Sequence, residues 1–211
     1  MPEQTGVDRS MTQLVRHLAK IDRANYYRIF LNREDRDVFA AMLPDNFSIA
    51  TLSLRPRMVR GFFQQIVLPL VARRWDAAVV HSPAFIMPMY RGSQRHVLTI
   101  HDLTSFSLPQ YHIPLRRSAL YKSAVRASIR RADVMIAPSN ATKRSILKLV
   151  PTLPTERVRV VPWGIGSAFK LYPQSKIEEA SKRLGLPPRY ILFVGTIEPR
   201  KNLPLLVESY R

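Results

Sequence analysis

Two short stretches carry residue types that could act on a polar, anionic substrate. His101-Asp102-Leu103 directly follows the apolar run Val97–Ile100. A histidine at such a place can hydrogen-bond a hydroxyl or a phosphate, and a nearby carboxylate can set its tautomer. The same pair also fits a buried turn histidine followed by a helix-capping aspartate. Glu198-Pro199-Arg200-Lys201-Asn202 follows a second apolar run, Tyr190–Gly195. An arginine fork and a lysine point charge at the mouth of a helix make an anion site. A solvated loop bearing two surface charges is the other reading. His81-Ser82-Pro83 is a weaker candidate, because Ser-Pro already accounts for a turn there.

These residues need elements that end where they begin. Met11, Leu14, Val15, Leu18 and Ala19 recur at helical spacing and predict an amphipathic helix over 8–21. Strands are predicted at Tyr26–Leu31, Phe47–Leu52, Ala77–Val80, Val97–Ile100, Asp133–Ala137 and Val158–Val161. Helices are predicted around 33–42, over 59–73, and over 114–131 with proline in the first turn. Ser139 is the expected N-cap of the helix after Asp133–Ala137. Alternating strands and helices imply an α/β domain with a largely parallel sheet over 1–170. Ligands in such sheets gather at the carboxyl ends of the strands. Residues 171–211 read as a linker, then a helix closed by Gly185, the strand Tyr190–Gly195, a loop and a helix start at Leu203. That is the expected opening of a second α/β domain. Thr5-Gly6 resembles the glycine turn between a first strand and its helix, although a plain N-terminus before a helix is also consistent.

Composition narrows the partners. The 211 residues are 46% apolar and 23% charged, which fits a folded globular chain. There is no apolar run long enough to span a bilayer and no recognisable leader. The absence of cysteine excludes disulfide frameworks and thiolate metal sites, and fits a cytoplasmic address. Five scattered histidines give no metal-ligand spacing, so no metal is expected. Net charge is +18, and between Asn46 and Thr155 there are 16 Lys and Arg against three acids. Such a field favours nucleic acid, anionic headgroups or phosphorylated small molecules. Lys122, Arg126 and Arg130 form a like-charged ridge on the 114–131 helix, either a solvated face or a contact for an anionic membrane or acceptor. A nucleic-acid module would interleave aromatics with its cations, and that helix has only Tyr121.

Taken in order, Thr5–Arg9, Val97–Leu103, Ala132–Ser139, Val158–Gly164 and Tyr190–Leu203 resemble retaining glycosyltransferases of the GT-B fold, family 4 above all. The resemblance implies two Rossmann-like halves: an acceptor-side domain, here 1–170, and a donor-binding domain opening at 171–211. It implies a nucleotide-sugar donor, no cofactor, and a glycan or lipid-pyrophosphate-linked acceptor, with no nucleic acid as partner. His101 would contact the donor sugar at the reaction centre, and Asp102 would shape its turn. Gly6 would lie in the glycine turn near donor phosphates or acceptor. Arg200 and Lys201, with Gly195, would meet the leaving diphosphate, where fixed cations stabilise developing charge without a metal. The work would be surface polysaccharide or glycolipid synthesis at the cytoplasmic membrane face. GT-B epimerases and phosphorylases share the architecture, and a basic nucleic-acid module is the alternative from another class. The family's two glutamates eight positions apart are not found, and Glu178, Glu179 and Glu208 do not stand in for them. With no strand before Gly6 either, the expectation is a fragment that is inactive alone.

Overall fold

The computed structural model describes residues 6–40, 43–53, 57–112, 114, 118–166 and 169–210. It divides into two compact units, Met1–Trp163 and Gly164–Arg211.

The first unit is α/β with parallel strands throughout. Helix Gly6–Ile21 leads into β1, Tyr27–Asn32, which pairs in parallel with β2, Phe47–Leu52, in the register Tyr27↔Phe47. β3 (Val79–Ser82), β4 (Arg95–Thr99), β5 (Val134–Ala137) and β6 (Val158–Val160) form a four-stranded parallel sheet in chain order. A single largely parallel sheet was the expectation; among the described residues β1 and β2 form a separate ladder.

Helix positions follow local chemistry, with some departures from the sequence reading. Among the described residues of the 33–42 region there are a 3-10 turn, Arg33–Asp35, and one helical turn, Asp37–Ala40; residues 41–42 lie outside the described set. The segment predicted over 59–73 is a continuous run of Arg57–Phe62, a π segment Phe63–Val67, and Leu68–Arg74. Helix Ala119–Arg131 starts later than predicted. Its cap is Ser118, whose Oγ accepts the Tyr121 N–H at 3.2 Å, and Pro114 is not its first turn. Residues 115–117 lie outside the described set. Ser139 caps helix Asn140–Leu149 as expected, accepting the Thr142 N–H at 3.2 Å.

The core sits between the four-stranded sheet and its helices. Leu98, Ile100, Met135, Ala137 and Val158 meet Val125 and Ile129 from one helix and Ile146 from the next. Each large buried side chain contributes about 1.5–3 kcal/mol. The loop after β3 is drawn into this core through Met87, whose N–H is accepted by the buried Ser128 Oγ at 3.1 Å. At the amino ends of the strands, Asp133 accepts the His96 N–H at 2.7 Å and pairs with Arg91 and Arg95. Burial would raise the Asp133 carboxyl, but that hydrogen bond and the Arg91 guanidinium outweigh it and hold it below its ordinary range.

The second unit holds helix Gln174–Arg183, a 3-10 turn Pro199–Lys201 and helix Leu203–Tyr210. Gly185, at φ +61°, ends the first of these. Its N–H bonds the Lys182 carbonyl and the Leu186 N–H bonds that of Ser181, the double bond of a Schellman cap. The strand predicted at Tyr190–Gly195 is not formed, and its side chains are exposed. Among the described residues of this unit there is no neighbouring strand, and a strand has no ladder to close without one.

Candidate functional site

The carboxyl end of β4 is where the first unit gathers its chemistry. Backbone pairing continues one residue past the strand, with the Ile100 N–H bonded to the Ile136 carbonyl at 3.0 Å, and His101 follows. Its Nε2 lies 2.8 Å from the carbonyl oxygen of Pro83. A carbonyl only accepts, so Nε2 carries the proton, and neutral His101 has its Nδ1 lone pair left to receive one. The ring lies between two aromatics, with its centroid 5.3 Å from Trp163 and 6.0 Å from Phe85.

The backbone beneath that arrangement is unusual. Phe85 has φ +46°, and the Ile86 N–H bonds the Ala84 carbonyl across it at 2.6 Å, a γ-turn of the rare hand. A bulky residue held at positive φ stores strain of about 1–3 kcal/mol, of the sort found at ligand sites. The surrounding contacts hold it: the Phe85 N–H bonds the Thr99 carbonyl, and the Pro83 carbonyl receives His101.

His81 belongs to the same cluster. The sequence places it in a turn after a strand, but His81 and Ser82 are the last residues of β3, and the turn begins at Pro83. The β3–β4 register sets His81 opposite Val97, so its ring reaches Thr99 two residues on, at 2.9 Å from Oγ1. Burial, and secondarily the charge of His101, lowers the His81 pKa. Ser10, Met11 and Leu14 of the first helix join Pro83, Thr99, His101 and Trp163 around a shallow depression. Gly6 opens that same helix, and a Cβ there would meet nothing within 4 Å. Thr5 lies outside the described residues.

Asp102 turns away from its neighbour. Its Oδ1 accepts both the Thr104 N–H at 2.9 Å and the Thr104 hydroxyl at 2.6 Å, an Asx turn opening the short helix Thr104–Ser107. That hydroxyl proton is spent on the carboxylate, so His112 Nε2, 3.0 Å from Thr104 Oγ1, is the donor there. The tautomer of His101 is set by Pro83 and not by a carboxylate. Asp102 shapes the turn.

The cationic candidates divide between the units. Lys122 and Arg126 lie over the face of Phe106, at 5.7 and 5.2 Å from its centroid, while Arg130 is exposed. In the second unit Glu198 binds the Thr196 hydroxyl at 2.7 Å and Arg200 Nε at 2.5 Å. Those two bonds, the hydroxyl foremost, hold the Glu198 carboxyl below its ordinary range. Lys201 is the last residue of the 3-10 turn, and Asn202, at φ +50°, redirects the chain into helix Leu203–Tyr210. A Cβ on Gly195 would come within 3.1 Å of the Phe193 ring, so glycine lets the two approach. Among the described residues no three His, Asp or Glu side chains gather as a metal site.

Trp163, Phe85 and Pro83 were not singled out for these roles by sequence. The signal for Trp163 was its place after β6 in Val158–Gly164; the other two act through contacts only the folded sheet creates. A parallel α/β unit of this kind is of the doubly wound class, in which ligands gather at the carboxyl ends of the strands, where this cluster lies. Residues 4–168 match Glycosyltransferase Family 4, and the chain belongs to that family. It is similar to "Serotype-specific mannosyltransferase WbdA" of Escherichia coli, at 24% identity over 213 residues covering 93% of this chain and 25% of that protein. A further Escherichia coli protein of the same name is 24% identical over 196 residues, covering 87% of this chain and 23% of its own length. The chain thus spans about a quarter of the length of these relatives.

Proposed function

We propose that this chain supplies the acceptor-side face of a retaining glycosyltransferase that moves a hexose, mannose first among them, from a nucleoside-diphosphate sugar to a glycan or lipid-linked acceptor. The observation that carries the reading is His101, anchored at the carboxyl end of β4 and ringed by Trp163, Phe85 and the first helix, in a chain of this family. The resemblance to mannosyltransferases supports the sugar.

In this reading the exposed Trp163 ring offers an apolar face to a sugar ring. His101 Nδ1 accepts a hydroxyl proton of the bound sugar while Nε2 stays tied to Pro83. Its role is to hold and orient the sugar at the reacting carbon. Arg200 and Lys201 meet the diphosphate, whose charge grows as the glycosidic bond breaks; Glu198 fixes the direction of the guanidinium. Fixed cations make a metal unnecessary for that step. The setting is surface polysaccharide or glycolipid synthesis at the cytoplasmic membrane face.

Saturation-transfer NMR of this chain with methyl mannoside tests the sugar site directly. The expected result is transfer to the mannoside that His101→Ala and Trp163→Ala each reduce. Equal transfer to mannoside in all three proteins would remove the site from the proposal.

A further inference from the structure

The helical run 57–74 has two unlike faces. Its inner face is spent on the protein. Phe63, Pro69 and Ala72 are buried, and the Gln64 and Gln65 amides donate to the carbonyls of Ile86 and Met87 at 2.5 and 3.1 Å. Gln65 Oε1 also accepts the Met89 N–H at 2.9 Å, so this face is fully engaged with the loop after β3.

Its outer face carries Phe62, Ile66 and Leu70, which are 61%, 50% and 59% exposed. A spacing of four residues would drift around an ideal α-helix. Here the stripe crosses the wider turn of the π segment Phe63–Val67. The exposed cations Arg60, Arg73 and Arg74 stand at its two ends, and no Asp or Glu occurs between Asn46 and Trp75. Trp75 follows directly, half-exposed, with the Arg28 guanidinium 4.2 Å over its ring. An apolar stripe flanked by Arg60, Arg73 and Arg74 and ending in tryptophan, with Asp76 the one acid beside it, is what an interfacial helix presents to lipid.

We infer that the outer face of 57–74 seats the protein on an anionic bilayer, with Phe62, Ile66 and Leu70 at the acyl boundary and Arg60, Arg73 and Arg74 among the headgroups. The charge argues for this occupant, because three exposed arginines against the single adjacent acid Asp76 complement anionic headgroups. Helix Ala119–Arg131, by contrast, already holds Lys122 and Arg126 against Phe106. Among the described residues no helix is long and apolar enough to cross a membrane, and this one lies on its surface. The inference deepens the membrane-face setting of the proposed function. Its test reads binding and not sugar transfer, so it fails or stands separately from the sugar site.

Flotation with vesicles of phosphatidylcholine alone, or equimolar phosphatidylglycerol and phosphatidylcholine, provides the test. The unaltered chain is expected to float with the anionic vesicles and stay down with the neutral ones. The double substitution Phe62→Ser, Leu70→Ser, checked for fold by circular dichroism, is expected to bind about tenfold more weakly or worse. The triple substitution Arg60→Gln, Arg73→Gln, Arg74→Gln should lose binding too, whereas Lys122→Gln with Arg126→Gln should retain it. Equal flotation with both vesicle types overturns the proposal. So does a folded stripe variant that floats like the parent, or a parent dimer that the stripe substitutions dissolve, which would make the face an interface between copies of this chain.

Discussion

His101 donates its Nε2 proton to the carbonyl of Pro83 over 2.8 Å, joining the end of β4 to the turn after β3. One bond thereby fixes both the ring's orientation and its tautomer. In long-range proton–nitrogen NMR of the neutral ring, Nε2 is expected to appear protonated and Nδ1 bare. The reverse assignment would leave Pro83 without a role at the site.

Asp102 acts on the turn through Thr104. Asp102→Ala removes both of its bonds and should lower stability by about 1 kcal/mol in urea titration, as expected for a partly solvated pair. Asp102→Asn keeps an oxygen in place and should cost less. Equal losses would mean that the charge matters and the turn does not.

Mild acid should weaken the first unit. Burial, then His101, places the folded pKa of His81 below the ordinary 6.5, and burial lowers that of His96 as well. Between the folded and unfolded values the unfolded chain binds the extra protons. Stability is therefore full above the unfolded value and falls as pH drops through this window. Melting curves from neutral pH down to about 5 should show the loss, and His81→Gln should reduce it. A flat profile in the unaltered protein counts against the buried neutral ring.

Further into acid, Asp133 takes over. Its folded carboxyl lies below the ordinary 3.8, so its contribution is present above that value and is lost as pH falls through the folded one. Asp133→Ala should remove this second limb and lower the melting temperature even at neutral pH, because the His96 N–H and Arg91 lose their shared partner. An unchanged acid limb in the variant would assign it to another carboxylate.

Ser128→Ala tests how the loop after β3 is held. The Ser128 hydroxyl is buried, accepting from the Met87 N–H and donating to the Ala124 carbonyl at 2.8 Å. Truncation leaves that N–H without its partner and should cost about 1–3 kcal/mol by denaturant unfolding. A neutral outcome would show that the loop finds another acceptor.

The parts legible in the sequence were those with a local cause. Apolar periodicity located the first helix and β1 through β6 to within a few residues, and Ser139 announced its own cap. His101 stood out because it follows a strand. Its anchor did not, since Pro83 lies 18 residues earlier and arrives only through the parallel pairing of β3 with β4. Asp102 looked like a partner for His101 by adjacency, yet neighbouring side chains point apart and Thr104 was the one within reach. Tyr190–Gly195 has the composition of a buried strand, but composition cannot supply a neighbour to pair with.

The division of the strands into two ladders has a colloidal consequence. Among the described residues, two separate ladders have four edges where one continuous sheet has two. Each edge is a row of backbone donors and acceptors able to take up a strand from another molecule. The net charge of +18 pushes copies apart, but only over a distance that shrinks as salt is added. Charge repulsion thus serves as the brake on self-association, and screening it with salt exposes backbone pairing that the charge had kept at a distance.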